Sequence, residues 1–301
     1  MRNRFACSIV CFTVVLIAIV ALSRVMIAQT PQSRQSSGQA SGTAAATTAG
    51  ASQGAKEIEG AGNQMPHYKY ASPAGPAPRQ NLNGEWGGPL SAAKVDPVPP
   101  MTVFGQARFA ANRSNQKISV ADSNDPLDTC DPLGFPRNAL WESRGIAFAT
   151  MPDKVVELFQ YEKVWREIWT DGRALPKDID NDAADSADSR YYGYAVGHWD
   201  GDYTFVVDTV GLDADTWLDN AGHPHSGDLR VNEQYTRVDQ HTLEMTVTLT
   251  DPKVYTRPWM AGKTTFKWIP QQQFDEQLCI PSRMQDYTKL IAKPAAGPGN
   301  K

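Results

Sequence analysis

The feature that most constrains this chain is a series of short segments in which apolar and polar side chains alternate, rich in β-branched and aromatic residues. Turns that contain Gly, Asp or Pro separate these segments, and no long helical pattern lies between them. The pattern predicts strands over 145–151, 154–161, 164–170, 191–199, 202–210, 229–239, 241–250 and 263–269. One short helix is predicted within 99–113, and the sequence WDGD (199–202) predicts a hairpin turn with Gly201 at positive φ.

Strands that follow one another without intervening helices predict a mainly β fold. We expect either an antiparallel, lipocalin-like β-barrel or a β-sandwich, as a single domain with few short helices. This β-rich domain is predicted over 79–290, a length that buries a full core, and a flexible C-terminal tail is predicted over 291–301.

The N-terminus predicts export. Two arginines precede an apolar run from Phe5 to Leu22, so 1–28 is predicted to be a signal peptide, with an uncleaved signal anchor as the alternative. Residues 29–78 are rich in Gln, Ser, Ala, Gly and Pro and are predicted to form a disordered linker. We expect a periplasmic or extracellular protein, and contact with the membrane only through an uncleaved N-terminal segment.

The charge of the exported part argues against a nucleic-acid partner. Three of the 29 basic residues lie in the first 28 positions, which leaves 26 basic against 33 acidic residues and a net charge near −7. A surface of that sign repels phosphate backbones and anionic membranes. The expected partner is a small molecule, and the sequence does not indicate an oligomeric state.

The cysteines predict one disulfide bond. Two of the four fall within the N-terminal apolar run, and the exported part retains Cys130 and Cys279. In an oxidising compartment such a pair is expected to form a disulfide, with two buried free thiols as the alternative. The bond would close a loop of about 150 residues and could contribute on the order of 5 kcal/mol.

An acidic residue in the middle of an apolar strand face marks a candidate site. In DLRVNEQYTRVD (228–239), Glu233 shares a strand face with Val231 and Tyr235. The hydrophobic pattern favours a three-residue loop (239–241) that pairs Glu233 with Val247. An inward carboxylate is costly unless it is paired or protonated, so Glu233 is predicted to be either a catalytic acid or a structural acid. The predicted partner of the structural acid is Arg237 on the same strand face or an arginine of another strand.

Several motifs resemble a family of exported, β-rich bacterial proteins that is common in soil bacteria. The resemblance rests on GHWDGD (197–202), VVDT (206–209), TWLDNAGHPHS (216–226) and DPKVYTRPW (251–259), and it covers the whole folded part. It implies an exported β-rich domain and assigns no activity or catalytic residue. This chain departs from the family at Gln234, where the resemblance predicts an arginine after the glutamate.

The candidate site residues come from polar groups near the Asp- and His-rich loop 213–228. Glu233, His225 and Asp202 are the candidate catalytic residues, by the chemistry of acid–base groups. Trp199, Trp217, Tyr235, Arg237 and Trp259 are expected to line a ligand cavity. Zinc, iron and calcium motifs with the usual spacing are absent from the sequence, so we predict neither a metal nor a cofactor.

Three function classes remain open from the sequence. The favoured hypothesis is a barrel that binds a small apolar or aromatic molecule in an aromatic-lined cavity. The first alternative is a hydrolase or lyase on a carbohydrate or small ester that uses Glu233 and His225. The second is a structural partner of a cell-envelope complex, suggested by the predicted linker alone.

Overall fold

Nine strands join edge to edge into a closed β-barrel. The computed structural model describes residues 73–88, 95–142, 144–177, 190–270 and 274–297, all within one compact unit, Glu57–Lys301. The strands are β1 (Gly84–Gly87), β2 (Gly145–Thr150), β3 (Lys154–Phe159), β4 (Trp165–Trp169), β5 (Tyr194–Asp200), β6 (Thr204–Val210), β7 (Arg230–Asp239), β8 (Thr242–Thr250) and β9 (Trp259–Trp268). The prediction of a mainly β barrel is therefore confirmed. The predicted signal segment, and the predicted linker up to residue 72, lie outside the described residues.

The strand order follows the sequence, and β9 returns to pair with β1. Each neighbouring pair of this described barrel is antiparallel except β4 and β5, which run parallel. The 24 residues that separate Trp169 from Tyr194 provide the long connection that a parallel pairing requires. The prediction of a purely antiparallel barrel is corrected at this one pairing, which is formed by only two residue pairs.

The predicted register of the β7–β8 hairpin is confirmed. Glu233 pairs with Val247 and Tyr235 with Met245, as the hydrophobic pattern requires. The turn itself differs, because the pairing shifts by a bulge between Arg237 and Asp239 and resumes at Asp239 and Thr242. The bulge leaves Val238 without a paired residue, so the turn itself contains only residues 240 and 241.

Helices are short and lie outside the barrel wall. The predicted helix is present as α1 (Val103–Ala111), capped by the Thr102 side chain, which accepts from the Gly105 amide. The sequence did not predict the others: α2 (Pro126–Thr129), α3 (Pro281–Tyr287), α4 (Lys293–Ala296) and the π-helical turns Asn138–Glu142 and Thr288–Ala292. Helical structure thus extends into the segment that was predicted to be a flexible tail. None of the described helices is both long and apolar enough to cross a membrane.

The barrel interior is filled with side chains. Inward residues of the strands are fully buried, and the segment 133–140, which precedes β2, is buried along its whole length. The Phe135 ring of this segment stacks on the Arg166 guanidinium, whose Cζ lies 3.8 Å from the ring centroid. Leu140 packs directly against the backbone of Gly262, in the space that a side chain would fill. A Cβ at position 262 would lie 2.3 Å from Leu140 Cδ2, so this contact requires glycine.

Candidate functional site

Glu233 lies at the centre of a fully buried polar cluster in the barrel interior. Its strand β7 lies between β6 and β8, so its side chain is surrounded on both sides by inward residues. The carboxylate accepts from Arg166 Nη1 at 3.0 Å, from Thr209 Oγ1 at 3.0 Å and from the Tyr235 hydroxyl at 2.9 Å. A second guanidinium hydrogen bond comes from Arg166 Nη2.

A second carboxylate, Glu157, completes this cluster. It lies on β3 directly opposite Arg166 of β4, and Arg166 Nε donates to it at 2.7 Å. The Tyr235 hydroxyl lies 3.0 Å from Glu157 and 2.9 Å from Glu233, so it bridges the two acids. We call Glu157, Arg166, Thr209, Glu233 and Tyr235 the buried cluster.

The buried cluster has one more acidic than basic group. Burial raises the pKa of Glu157, and the charge of Glu233 raises it further, against the opposing effect of Arg166. Burial opposes the charge of Arg166, yet the two glutamates hold its pKa well above the usual value. The raised pKa of Glu157 favours its protonated form, and the raised pKa of Arg166 favours its charged form.

The structural interpretation of Glu233 is the one that this geometry supports. The sequence had offered Arg237, or an arginine of another strand, as the partner of Glu233, and the arginine of another strand is present as Arg166. Glu157 and Arg166 were missed as site residues. The signal for them was the same as for Glu233, a charged residue in the middle of an apolar strand face.

His225 belongs to a separate hydrogen-bond network. Its Nε2 lies 2.8 Å from Thr216 Oγ1 and its Nδ1 lies 3.0 Å from the Ser226 carbonyl oxygen. Complete burial lowers the pKa of His225, which favours the neutral ring. The Ser226 hydroxyl donates to Asp251 at 2.9 Å, so it is not oriented as a nucleophile toward His225. This loop is held by its own internal hydrogen bonds.

Asp202 lies far from His225. It precedes β6, where Arg79 Nε lies 3.3 Å from its partly exposed carboxylate, whereas His225 lies in the loop that follows β6. The seven residues of β6 separate these positions by about 20 Å at the usual rise of a strand. The structure therefore does not bring the three candidate catalytic residues together, and an acid–base role for any one of them stays a prediction.

The five candidate ligand-binding residues are likewise spread along the barrel. Trp199 packs on Phe205 near the Asp202 end, and at the same end the Arg237 guanidinium lies 4.5 Å from the Trp86 ring. At the opposite end, the loop that carries His225 also contains the buried ring of Trp217, and the buried ring of Trp259 packs against His223 of that loop. With Tyr235 in the buried cluster, these side chains do not line one common cavity.

A histidine–aspartate pair stands out in the same loop. His223 Nδ1 lies 2.6 Å from Asp219 Oδ2, and the imidazole stacks on the Phe109 ring with a centroid distance of 4.8 Å. Although burial opposes it, the hydrogen bond from His223 holds the pKa of Asp219 below its usual value. The pair joins α1 to the loop, and the described residues contain no group of three metal-ligating side chains.

Two of the cavities that the described residues form lie on the outer side of the barrel wall. The first, of about 370 Å³, we call the Phe274 cavity; it is lined by Gly84, Glu85, Ala147, Phe148, Ala149, Leu158, Phe159, Lys163 and Phe274. The second, of about 190 Å³, we call the seam pocket; it is lined by Trp165, Arg166, Glu167, Trp169, Arg190, Tyr192, Gly193, Tyr194 and Ala195. The sequence predicted neither, because each is formed by strands that pair only in the folded barrel.

The comparisons with known proteins give no assignment: no family model, no curated protein and no solved structure matches this chain.

Proposed function

We propose that this β-barrel domain binds a small apolar or aromatic molecule in the Phe274 cavity. The observation that carries this proposal is a cavity of about 370 Å³ whose walls are mostly carbon and include Phe274, Leu158 and Ala147. Ligand sites of this kind are concave, mainly apolar and typically about 300–1,000 Å³ in volume. The sequence favoured the same class of ligand, a small apolar or aromatic molecule, in a lipocalin-like barrel. The proposed site lies on the outer face of β1–β3, because side chains fill the barrel interior.

Phe274 supplies one wall of this cavity and is held there by two neighbours. Its ring fits over Gly145, where a Cβ would lie only 2.9 Å from the nearest ring carbon. Its carbonyl oxygen accepts from Lys163 Nζ at 2.8 Å. This bond holds the Lys163 ammonium at the edge of the cavity, where it keeps its charge and two further donors.

One polar atom next to Phe274 is consistent with a ligand that carries a single hydrogen-bond donor. Gln160 is buried, and its Oε1 has no hydrogen-bond partner among the described residues. This oxygen lies 3.1 Å from the position that a Cβ on Gly145 would occupy, beside the edge of the Phe274 ring. Unsatisfied buried acceptors are costly, so a hydroxyl or amide that reached this oxygen would gain affinity.

The test is ligand binding by a variant in which the cavity is filled. Ala147 points outward into the cavity, and Ala147→Trp would occupy it while leaving the inward face of β2 unchanged. With 8-anilinonaphthalene-1-sulfonate as probe, we expect saturable, blue-shifted fluorescence for the full-length protein and at least about tenfold weaker binding for Ala147→Trp, or about 1.4 kcal/mol.

Thr246→Trp is the matched control, because Thr246 is a partly exposed position on β8 that does not line the cavity. It should bind the probe like the unmodified chain, and circular dichroism should show the same sheet content for all three proteins. Absence of saturable binding by the unmodified chain, or equal binding by Ala147→Trp, would overturn the proposal.

A further inference from the structure

The seam pocket lies beside one of the two shortest pairings of the described barrel wall, each of two residue pairs. β4 and β5 form only the pairs Ile168–Ala195 and Trp169–Val196. The residues of β4 that precede this pairing, together with the turn that leads into β5, surround a pocket of about 190 Å³. Trp165, Glu167 and Trp169 alternate with inward residues along β4, so the pocket opens on the outer surface.

One aromatic ring of this pocket is free to receive a ligand. Trp169 is already covered, because Lys154 Nζ lies 4.2 Å and the Arg173 guanidinium 3.6 Å from its ring centroid. Trp165, the first residue of β4, is 56% exposed although it is a large apolar side chain. An exposed tryptophan beside a mostly polar pocket is typical of a surface that stacks on a ligand ring.

The charge that remains without a partner in the seam pocket is positive. Glu167 is bound by Lys154 Nζ at 2.6 Å, and the Arg166 guanidinium is buried in the cluster on the inner side. Arg190 is exposed, its guanidinium lies 5.4 Å from the Tyr194 ring, and it has no carboxylate partner within the part of the chain that the structure describes. Exposed arginine forks recognise carboxylates in a bidentate manner.

We propose that the seam pocket binds an acidic monosaccharide unit, a uronic acid. Its C–H face would stack on Trp165, because polarised C–H groups are attracted to the negative face of an aromatic ring. Its carboxylate would pair with Arg190, and a sugar hydroxyl would accept from the Tyr194 hydroxyl, which itself accepts from Arg173 Nη1 at 3.2 Å. The pocket is smaller than drug-sized sites, so it takes one ring. This site is separate from the Phe274 cavity and differs from it in ligand chemistry.

The test compares glucuronic acid with glucose on the full-length protein by saturation-transfer and titration NMR. We expect saturable binding of glucuronic acid, with glucose at least about tenfold weaker. Trp165→Ala should abolish binding of both sugars, since both stack on the same ring. Arg190→Ala should lower the affinity for glucuronic acid to that for glucose, since it removes only the contact with the carboxylate.

Tyr203→Ala is the control, because Tyr203 is 40% exposed and lies in the turn before β6, away from the pocket lining. It should bind glucuronic acid like the unmodified chain. The proposal is overturned if glucuronic acid shows no saturable binding, if Trp165→Ala binds it unchanged, or if Arg190→Ala keeps the preference for the acid over glucose. Because probe binding to the Phe274 cavity is measured independently, either proposal can fail alone.

Discussion

At the scale of single residues, the buried cluster shows how an acid can face the core of a β-barrel. Glu233 receives hydrogen bonds from a guanidinium, a threonine hydroxyl and a tyrosine hydroxyl, so none of its oxygens is left without a donor. Arg166 in turn donates hydrogen bonds to two glutamates, and the Phe135 ring stacks on its guanidinium. Full satisfaction of this kind is what makes a buried polar network tolerable.

The shared arginine leaves the cluster sensitive to pH through Glu157. The pKa of Glu157 is raised in the folded state, so the folded chain holds a proton there that the unfolded chain releases above pH about 4.3. Its contribution to stability is present below that pH and is lost as pH rises toward the raised pKa. We expect the free energy of unfolding of Glu157→Gln, which mimics the protonated acid, to rise relative to that of the unmodified chain as the pH increases above about 4.3.

Urea denaturation at several pH values measures this difference. Glu276→Gln is the control, because Glu276 is exposed and should show a constant offset over the same range. A stability difference between Glu157→Gln and the unmodified chain that does not change with pH would contradict the assignment of the proton to Glu157.

At the scale of elements, alternation in the sequence predicted eight of the nine strands and the register of the hairpin that carries Glu233. It missed β1, because four residues that include two glycines, GEWG, are too short to show a period. It also predicted Cys130–Cys279, which the structure confirms, since two cysteines allow one pairing. Local patterns were sufficient to predict strands and a hairpin register, because both depend on residues that are close in sequence.

The site required information that is not local. The bond between Arg166 and Glu233 joins residues 67 positions apart, and it depends on how the sheet closes. From the sequence, Glu233 could be placed facing inward, but its partner could not be chosen among the arginines. The candidate residues Asp202 and His225 were grouped by their proximity in sequence, whereas β6 places them at opposite ends.

A buried ion pair connects the elements that cover one end of the barrel. Arg137 donates to both oxygens of Asp125, at 2.7 and 2.9 Å, and both side chains are essentially inaccessible. Arg137 Nε also donates to Asn220, so one side chain connects α2, the buried segment before β2 and the loop after β6. Arg137→Met should lower the free energy of unfolding by about 3–5 kcal/mol, because Asp125 would remain buried and unpaired.

Arg79→Met provides the comparison for this prediction. Arg79 pairs with Asp202 at 3.3 Å, but its side chain is 75% exposed, so its loss should cost less than about 1 kcal/mol. Chemical denaturation of both variants measures the two values. Equal losses for Arg137→Met and Arg79→Met would show that the buried pair does not stabilise the covered end.

At the scale of the whole molecule, the barrel and the C-terminal helices are held by different interactions. The barrel closes through the pairing of β1 with β9 and encloses a continuous core. The C-terminal helices bury little, since Leu278, Leu290 and Ile291 are each more than half exposed. The segment before these helices is joined to the rest by the disulfide, by the Cys279 amide that donates to Glu162 at 2.8 Å, and by the Glu162 amide that donates to the Gln277 carbonyl oxygen at 2.8 Å.

This difference predicts what reduction of the disulfide does. If the native state stays unchanged, chain entropy predicts that a cross-link between residues 149 positions apart stabilises the folded state by on the order of 5 kcal/mol. Here the reduced native state can release the weakly buried C-terminal segment and gain entropy, so we expect a smaller loss of global stability. Cys130→Ser with Cys279→Ser should expose 276–297 to limited proteolysis while circular dichroism still shows the intact sheet. Cooperative loss of the sheet together with this cleavage would mean that the C-terminal helices are part of the barrel's folding unit.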